Sequence, residues 1–219
     1  MNVKLISCTS PIIDSVLHAE DLVAYCARVS NPSNQMNSET APKLLNFLIK
    51  HKHWSPLEMV DMTLEIKTSR AIAAQILRHK SFSFQEFSLR YSLATEYEDI
   101  ELRLQGDKNR QVGEKLLSKD SPAYDSITNL IAETMALTDH CYQTMVENGI
   151  AKEIARMILP LSTQTTMYMK GNLRSWIHYI ELRTEQNTQK EHRLIAEECK
   201  KIFIKQFPTI SEALGWNKA

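Results

Sequence analysis

Glycine and net charge are two things that this sequence of 219 residues has little of. The five glycines are scattered, at Gly106, Gly113, Gly149, Gly171 and Gly215. Neither the G-x-G-x-x-G loop of dinucleotide-binding domains nor the G-x-x-x-x-G-K phosphate loop can therefore be present. The 26 Lys and Arg residues balance 26 Asp and Glu residues, which argues against a general nucleic-acid binder. Any bound phosphate is therefore expected to meet locally clustered cationic side chains.

Cysteine and long apolar runs are also scarce. The four cysteines lie far apart and form no C-x-x-C pair, at Cys8, Cys26, Cys141 and Cys199. A chain of this size needs no disulfides, so the pattern predicts a reducing, cytoplasmic environment and no zinc site. No stretch approaches the roughly 20 apolar residues of a membrane span, and no apolar signal-peptide region precedes Ser10. The seven histidines lack the spacing of metal ligands, so we expect no catalytic metal.

The remaining composition, 43% hydrophobic and 24% charged residues, is that of an ordinary globular protein. The length allows one large domain or two small ones. No linker or internal repeat divides the chain, so we expect a single domain over residues 1–219. Helical and strand patterns do not alternate regularly, which favours an α+β fold with about six helices and a small, mostly antiparallel or mixed sheet.

Hydrophobic periodicity predicts where the elements lie. A period of two predicts strands at 3–6, 61–67 and 163–169. A period near 3.6 predicts helices at 19–29, 40–50, 69–77, 126–148, 151–158, 172–183 and 187–207. In the second of these, Thr40 is expected to cap the helix and Phe47 to belong to its buried face. Residues 99–121, which include Gly106, Asp107 and Gly113, are predicted to be an exposed, variable loop region.

The segment Arg78–Arg90 places nine polar side chains within thirteen positions, with an unusual density of anion-binding groups. An arginine fork matches a phosphate in a bidentate manner, and a neighbouring hydroxyl can bind a further oxygen, so Ser88 and Arg90 predict a monophosphate clamp. The alternative is a solvated loop whose cations favour the end of the preceding helix. The aromatic residues Phe82, Phe84 and Phe87 within the segment, and Tyr91 directly after it, favour the binding site. Ser88 lacks a G-x-S-x-G turn and an evident base, which argues for a phosphate ligand and against a nucleophile.

Three further arginines, Arg156, Arg174 and Arg183, lie in otherwise apolar helical segments. At about 100° per residue, Arg174 and His178 are about 40° apart on one helix face, whereas Arg183 is roughly opposite to Arg174. One helix could then serve two ligands or two subunit interfaces. The alternative for each arginine is a surface position in which its stem covers apolar neighbours.

Four sequence motifs of this chain are similar to those of one enzyme family. Arg78-His79-Lys80, followed after seven residues by Ser88-Leu89-Arg90, is similar to the family's R-H-R and S-x-R signature. HKHWSPLE at 51–58 is similar to its H-x-H-x-[ST]-P-x-E element, EIARMILP at 153–160 to its A-R-x-x-L-P turn, and NLRSWIHYIELR at 172–183 to its N-x-R-S helix. The four motifs occur in order over residues 51–183, and together they resemble the flavin-dependent thymidylate synthase family.

The resemblance implies that the chain makes thymidylate by methylating C5 of deoxyuridylate (dUMP). The methylene group would come from 5,10-methylenetetrahydrofolate and the hydride from reduced FAD, which NADPH regenerates. The resemblance also implies a homotetramer whose active sites draw residues from several subunits. Trp176 and its apolar neighbours are candidates for an interface.

Site residues follow from the motif positions of the family. The implied FAD contacts are Ser55, Arg78, His79, Lys80, Glu86, Asn172, Arg174 and His178. The implied dUMP contacts are Gln75, Arg78, Glu86, Ser88, Leu89, Arg90, Arg156 and Arg183. His53 would lie near the flavin and the folate. Arg183 would be the catalytic residue, because a guanidinium beside N3 and O4 of the uracil stabilises negative charge on the ring.

One departure from the family pattern is Lys80, which stands where the family usually has arginine. Lysine replaces a bidentate fork with a point charge. This change is the sequence support for an alternative function, a non-catalytic dUMP- or nucleotide-binding protein that has lost flavin binding. A second alternative is a flavin-dependent methyltransferase acting on uridine in RNA, against which the neutral charge of the chain argues.

Overall fold

A computed structural model describes residues 1–93, 96–107, 109 and 112–216. The strands among them are β1 (Asn2–Cys8), β2 (Asp61–Ser69), β3 (Ser83–Glu86), β4 (Arg103–Gln105), β5 (Gly113–Leu116) and β6 (Gln164–Asn172). The α-helices are α1 (Ala19–Ala27), α2 (Ala41–Lys50), α3 (Arg70–Ile76), α4 (Pro122–Glu147), α5 (Lys152–Ala155), α6 (Leu173–Arg183), α7 (Lys190–Gln206) and α8 (Pro208–Ala213). Short 3-10 turns occupy Pro32–Asn34, Ser55–Met59 and Arg156–Ile158.

Four strands form one sheet, in the order β1-β2-β6-β3, and each neighbouring pair is antiparallel. The alternation predicted for β2 is confirmed, because Met62, Leu64 and Ile66 are fully buried while the residues between them are half-buried. The strand pairs along its whole length with β6, and Leu64 lies opposite Met169. The expected α+β fold is therefore confirmed, and its central sheet is antiparallel.

Trp176 of α6 lies in the hydrophobic core that joins the helices to this sheet. Its side chain is fully buried, and its Nε1 donates a hydrogen bond of 2.9 Å to the carbonyl oxygen of Met62 on β2. Its ring packs edge-on against Phe82 at a centroid distance of 4.9 Å. The expectation that Trp176 belongs to a subunit interface is therefore wrong, because the core of a single chain already covers its indole.

Two apolar residues of the predicted helices 19–29 and 40–50, Val29 and Phe47, are exposed. Helix α1 ends at Ala27, so Val29 lies beyond it. Phe47 projects from α2 and stacks on His51 at a ring-centroid distance of 4.2 Å. Thr40 does not cap α2 with its side chain; its Oγ1 instead accepts a hydrogen bond of 2.8 Å from Arg28.

The segment 99–121 contains a β-hairpin where the sequence predicts a loop. Strands β4 and β5 pair in an antiparallel manner, with Arg103 opposite Leu116. Arg103 also forms an ion pair with Glu191 of α7, so the hairpin is attached to the helical layer. Exposed strands this short carry little apolar alternation, which explains why the pattern does not reveal them. Residues 108, 110 and 111 of the predicted loop lie outside the described residues, and its variability stays a prediction.

Helix α4 is 26 residues long and confirms the helix predicted at 126–148. The Ser121 hydroxyl caps its N-terminus by accepting a hydrogen bond from the backbone N–H of Ala123. The apolar face of the helix is largely open to solvent, since Leu130 and Leu137 are 64% and 70% exposed. A large exposed apolar face typically marks an interaction surface.

The C-terminal helices are attached to the start of the chain by a buried carboxylate. The helix predicted at 187–207 ends just before Pro208, since α7 ends at Gln206; Pro208 then occupies the first turn of α8, where its missing N–H is not needed. Glu20 of α1 accepts hydrogen bonds from the backbone N–H groups of Thr209 and Ile210, at 3.2 and 2.6 Å. Burial raises the pKa of the Glu20 carboxyl, although these two donors act in the opposite direction.

The four cysteines are free thiols in the structure. Cys199 is fully buried, which raises the pKa of its thiol. Within the described ranges, no helix combines the length and the hydropathy needed to cross a membrane. The same ranges contain no group of three or more His, Cys, Asp or Glu side chains that could hold a metal ion.

Candidate functional site

The junction of β6 and α6 positions the first part of the site. The Asn172 side chain caps α6 by accepting a hydrogen bond of 2.9 Å from the backbone N–H of Ser175. The backbone N–H of Leu173 donates to the carbonyl oxygen of Val60 at 3.0 Å, which joins the helix start to the chain entering β2. A side-chain cap typically contributes about 1 kcal/mol to helix stability. The direction of α6, and therefore of Arg174, is determined by these contacts.

A cavity of about 540 Å³ lies between α6 and the 3-10 turn Ser55–Met59. Its lining residues are Trp54, Glu58, Ser81, Asn172, Arg174, Ser175, Ile177, His178 and Glu181. Asn172, Arg174 and His178, three residues expected to bind flavin, therefore lie together, and the predicted common face of Arg174 and His178 is confirmed. The volume falls in the range of sites for cofactors and small molecules.

Arg174 is held in this cavity by an ion pair with Glu58, a residue that the motif match did not assign to the site. Both side chains are more than a third exposed, so the pair contributes little to the stability of the fold. Its effect is to orient the guanidinium. The Arg174 side chain keeps further N–H groups that an anionic ligand could accept from.

The turn after α3 carries Arg78, His79 and Lys80. His79 accepts a backbone hydrogen bond of 3.2 Å from the N–H of Phe82, whose ring is buried against β6. Gly171 makes this packing possible, because a Cβ at that position would lie only 2.5 Å from the Phe82 ring. Arg78 and Lys80 are exposed on either side of the half-buried His79.

Arg183 lies at the other end of α6 and contacts His79. Its Nε donates a hydrogen bond of 2.9 Å to Nε2 of His79. This contact confirms that Arg183 and Arg174 occupy different sides of the helix, since Arg174 lines the cavity and Arg183 does not. Burial, together with the nearby Arg183 and His178, lowers the pKa of His79 to about 4. His79 is therefore neutral at neutral pH and accepts from Arg183.

Two residues next to this pair were not found from the sequence, His192 and Tyr179. The hydroxyl of Tyr179 lies 3.2 Å from Nε2 of His192, and Nδ1 of His192 lies 3.2 Å from Oε1 of Gln75. Both aromatic side chains are fully buried. A histidine and a tyrosine on core-facing helix positions give no local signal of such a contact, because α3, α6 and α7 come together only in the folded chain.

Ser88 and Arg90 line a separate surface groove of about 410 Å³ beside α5. Arg90 forms an ion pair of 3.1 Å with Glu153, and Ser88 Oγ accepts from the backbone N–H of Arg90 at 3.3 Å. Arg156 reaches the same turn, where its Nε donates to the carbonyl oxygen of Glu153 at 3.3 Å. Three of the residues expected to bind dUMP are thus brought together. Glu153 was not assigned to the site from the sequence, and within the single chain its carboxylate forms an ion pair with the Arg90 guanidinium.

Glu86 lies in neither the cavity nor the groove. Its Oε1 accepts a hydrogen bond of 2.9 Å from Thr165 on β6 and lies 3.7 Å from the guanidinium of Arg70. Leu89 is buried, so any contact of this residue with a nucleotide would use its backbone.

The remaining predicted residues lie on the surface near the cavity. Ser55 is exposed at the start of the 3-10 turn that borders it. His53 is exposed and stacks edge-on against Phe47 at a centroid distance of 5.7 Å. Within one chain, the predicted residues other than Glu86 therefore divide between three places: the Arg174 cavity and its border, the Ser88 groove, and the cluster around Arg183, His79 and Gln75, which we call the Arg183 cluster.

Comparisons with known proteins identify relatives over most or all of the chain. The family model described as thymidylate synthase complementing protein matches residues 11–209. A flavin-dependent thymidylate synthase from Synechocystis is 54% identical over 219 residues, covering 99% of this chain and 100% of the relative. A probable flavin-dependent thymidylate synthase from Paramecium bursaria Chlorella virus 1 is 53% identical over the same length and coverage.

A solved structure has the same fold. The UMP/dUMP methylase PolB from Streptomyces cacaoi, bound with 5-Br dUMP, superposes with a TM-score of 0.81 over 98% of this chain and 94% of that chain. The identity is 24%, so this likeness is evidence of fold alone. Taken with the family match and the identities above 50% over the whole length, the chain belongs to the flavin-dependent thymidylate synthase family of enzymes.

Proposed function

We propose that this enzyme methylates dUMP at C5 to form dTMP, with the methylene group of 5,10-methylenetetrahydrofolate and the hydride of reduced FAD, which NADPH regenerates. The observation that carries the proposal is the placement of two arginines by one helix. Arg174 faces a cavity of cofactor size, and Arg183 faces the cluster that contains Gln75 and His79. A helix with these two sides can bring a flavin and a nucleotide next to each other.

The cavity residues fit a flavin dinucleotide. The chain has no glycine loop to bind a pyrophosphate, and the cavity offers side-chain donors in its place, from Ser81, Asn172 and Arg174. Trp54 and Ile177 supply apolar surface in the same cavity. The residues proposed to hold FAD are Ser55, Arg78, His79, Lys80, Glu86, Asn172, Arg174 and His178, with His53 near the flavin and folate. A reduced flavin, when bound, supplies a hydride.

Ser88 and Arg90 are proposed to bind the phosphate of dUMP. An anion in the groove would compete with Glu153 for the Arg90 guanidinium, and the bidentate geometry of arginine suits a phosphate better than a single carboxylate oxygen. Ser88 has a cationic neighbour and no general base among its described contacts, which supports a role as ligand. The complete proposed dUMP set is Gln75, Arg78, Glu86, Ser88, Leu89, Arg90, Arg156 and Arg183.

Arg183 is proposed to be the catalytic residue. Its Nε is committed to His79, and the four N–H groups on its two terminal nitrogens make no hydrogen bond to a described residue. These groups are therefore available to donate to O4 of the uracil, and to N3 when that nitrogen has lost its proton and shares the negative charge of the ring. Charge stabilisation by a donor that is already in place requires no cysteine adduct and no proton transfer from the protein.

We also propose a cytoplasmic homotetramer with active sites shared between subunits. The exposed apolar face of α4 needs a partner, and a second copy of the chain would cover it. The separation of the Ser88 groove from the Arg183 cluster supports sharing, because a groove from one subunit could complete the cluster of another. Sedimentation of the purified protein tests this assembly directly.

The reaction is tested by tritium release from dUMP labelled at C5, with FAD, NADPH and methylenetetrahydrofolate each omitted in turn. Release that requires all three establishes the reaction and the flavin route together. dUMP binding without release, and without FAD binding, would favour the non-catalytic nucleotide-binding alternative, and Lys80→Arg would then be the first variant to make. Strong competition by an RNA would favour a methyltransferase that acts on uridine in RNA.

A further inference from the structure

A continuous chain of polar contacts runs from the start of α7 to α6 through Gln75. Gln189 Nε2 donates to Oε2 of Glu191 at 3.0 Å, and Gln75 Nε2 donates to Oε1 of Gln189 at 2.7 Å. Oε1 of Gln75 lies 3.2 Å from Nδ1 of His192, whose Nε2 lies 3.2 Å from the hydroxyl of Tyr179. The Arg103 guanidinium pairs with Oε1 of Glu191 at the beginning of this chain.

The carboxylate of Glu191 determines the direction of every donor in the chain. A carboxylate can only accept, so the Gln189 amide must turn its NH2 group toward Glu191 and its oxygen toward Gln75. The Gln75 amide must then present its NH2 group to Gln189 and its oxygen to His192. An amide oxygen can only accept, so Nδ1 of His192 carries the proton and donates. The orientation of the Gln75 amide is thus determined on both sides.

The environment of His192 keeps its ring neutral. The side chain is completely buried, and burial, with Arg183 and His79 nearby, lowers the pKa of His192 to about 3. In the neutral Nδ1–H tautomer, Nε2 accepts a hydrogen bond from the Tyr179 hydroxyl. Tyr179 is itself fully buried, and burial raises its pKa well above the usual value, so the phenol keeps its proton.

This series of polar contacts ends at Tyr179, next to His79 and its partner Arg183, the proposed catalytic residue. The ring of His79, the partner of Arg183, packs edge-on against Tyr179 at 4.9 Å and against His192 at 6.3 Å. Gln75 is half-buried at the edge of this cluster, with one amide hydrogen and one oxygen lone pair left over after the contacts above. A ligand beside Arg183 would therefore meet a Gln75 amide whose NH2 group and oxygen have fixed positions.

We propose that His192 is a positioning residue, which together with Tyr179 and Gln189 holds the Gln75 amide in the orientation that binds dUMP. This inference rests on the proposed function, because it takes Gln75 as a dUMP contact. His192 itself is buried and does not touch the nucleotide. Its contribution is to nucleotide affinity and not to the chemical step, since it acts through a residue that binds the ground state and the transition state alike.

The test compares His192→Phe with His192→Asn in the flavin-loaded enzyme. Phenylalanine keeps the ring but removes both hydrogen bonds, whereas the asparagine amide can still donate from about the position of Nδ1. We expect His192→Phe to raise the Kd and KM for dUMP about tenfold with kcat within about twofold, and His192→Asn to recover most of the affinity. Ile195→Ala is the matched control, because it truncates a buried residue on the same helix, outside the polar chain.

Direct binding of dUMP to the wild-type enzyme separates failure of this inference from failure of the proposed function. If the wild type does not bind dUMP, both fall. If the wild type binds dUMP and both His192 variants bind it as tightly as the wild type does, the positioning role alone is overturned. Equal weakening in His192→Phe, His192→Asn and Ile195→Ala would also overturn it, because loss of core packing would then be the cause.

Nitrogen NMR of labelled histidine gives a readout that core packing does not mimic. The signal that disappears in His192→Phe identifies His192. A proton on Nδ1 with an unprotonated Nε2 is expected across neutral pH, and a proton on Nε2 with an unprotonated Nδ1 would overturn the proposed direction of the chain.

Discussion

The Nε of Arg183 donates a hydrogen bond of 2.9 Å to Nε2 of His79, and this contact joins the last turn of α6 to the turn after α3. The two residues lie 104 positions apart in the sequence and belong to different motifs. The contact leaves the terminal nitrogens of Arg183 available to a substrate while holding the guanidinium in one orientation. It also requires His79 to be neutral, since a charged imidazole has no lone pair to accept with.

Replacing Arg183 should separate turnover from flavin binding. Arg183→Ala removes the proposed stabilisation of charge on the uracil, so we expect kcat to fall by about 100-fold or more while the purified protein keeps its flavin. Arg174→Ala is the matched variant at the other face of α6, and it should lower flavin content instead. Flavin absorbance and single-turnover kinetics measure the two effects. Intact turnover with lost flavin in Arg183→Ala would mean that the two faces are assigned the wrong way round.

The serine of the groove should affect nucleotide binding and not chemistry. Ser88→Ala removes one proposed phosphate ligand, so we expect the KM for dUMP to rise about tenfold with most of kcat retained. Ser83→Ala, at an exposed serine of β3 outside both cavity and groove, is the control and should behave as the wild type. Complete loss of turnover with normal dUMP binding would contradict the ligand role.

Folding stability should fall as the solution is acidified through the histidine range. Burial lowers the pKa of His79 to about 4 and that of His192 to about 3 in the folded chain, from 6.5 in the unfolded chain. The unfolded chain therefore binds more protons between these values, and the free energy of unfolding decreases as pH falls below 6.5. Urea unfolding at a series of pH values measures this slope. His192→Asn should reduce the slope, whereas His140→Asn, at an exposed histidine, should not. Equal slopes in the wild type and both variants would refute the contribution of buried His192 to the pH dependence.

The buried Glu20 should be needed for the attachment of the C-terminal helix. Glu20→Ala leaves the backbone N–H groups of Thr209 and Ile210 without their acceptor, so we expect the free energy of unfolding to fall by about 1–3 kcal/mol. Glu212→Ala, at an exposed carboxylate of α8, is the control for helix propensity and net charge. Chemical denaturation of the two variants provides the comparison, and equal stability would show that water replaces the carboxylate without cost.

Local periodicity predicted the elements of this fold well where one face is buried. β2 and the helix that carries Arg174 and Arg183 are the clearest cases, because a buried face imposes a period of two or 3.6 on its apolar residues. The same rule explains the errors. The hairpin of β4 and β5 is largely exposed, so burial imposes no pattern on it, and Phe47 is apolar but projects from α2 toward His51.

The positions of the site motifs could be found from the sequence, but most of their contacts could not. Glu58 and Glu153 hold Arg174 and Arg90, and neither pairing follows from motif spacing. The polar chain through Gln75 depends on three helices that meet only after folding. Its partners are separated by more than 100 residues between α3 and α7.

The sequence by itself determined the α+β class, the order of the main elements, the opposed faces of Arg174 and Arg183, and the family resemblance. Each of these is local, because periodicity and motif spacing act over a few turns of chain. Only the tertiary structure decided that His79 accepts from Arg183, that Trp176 belongs to the core, and that His192 contacts Gln75. Those relations depend on how α3, α6 and α7 pack, and packing is a property of the whole buried core that no short segment encodes.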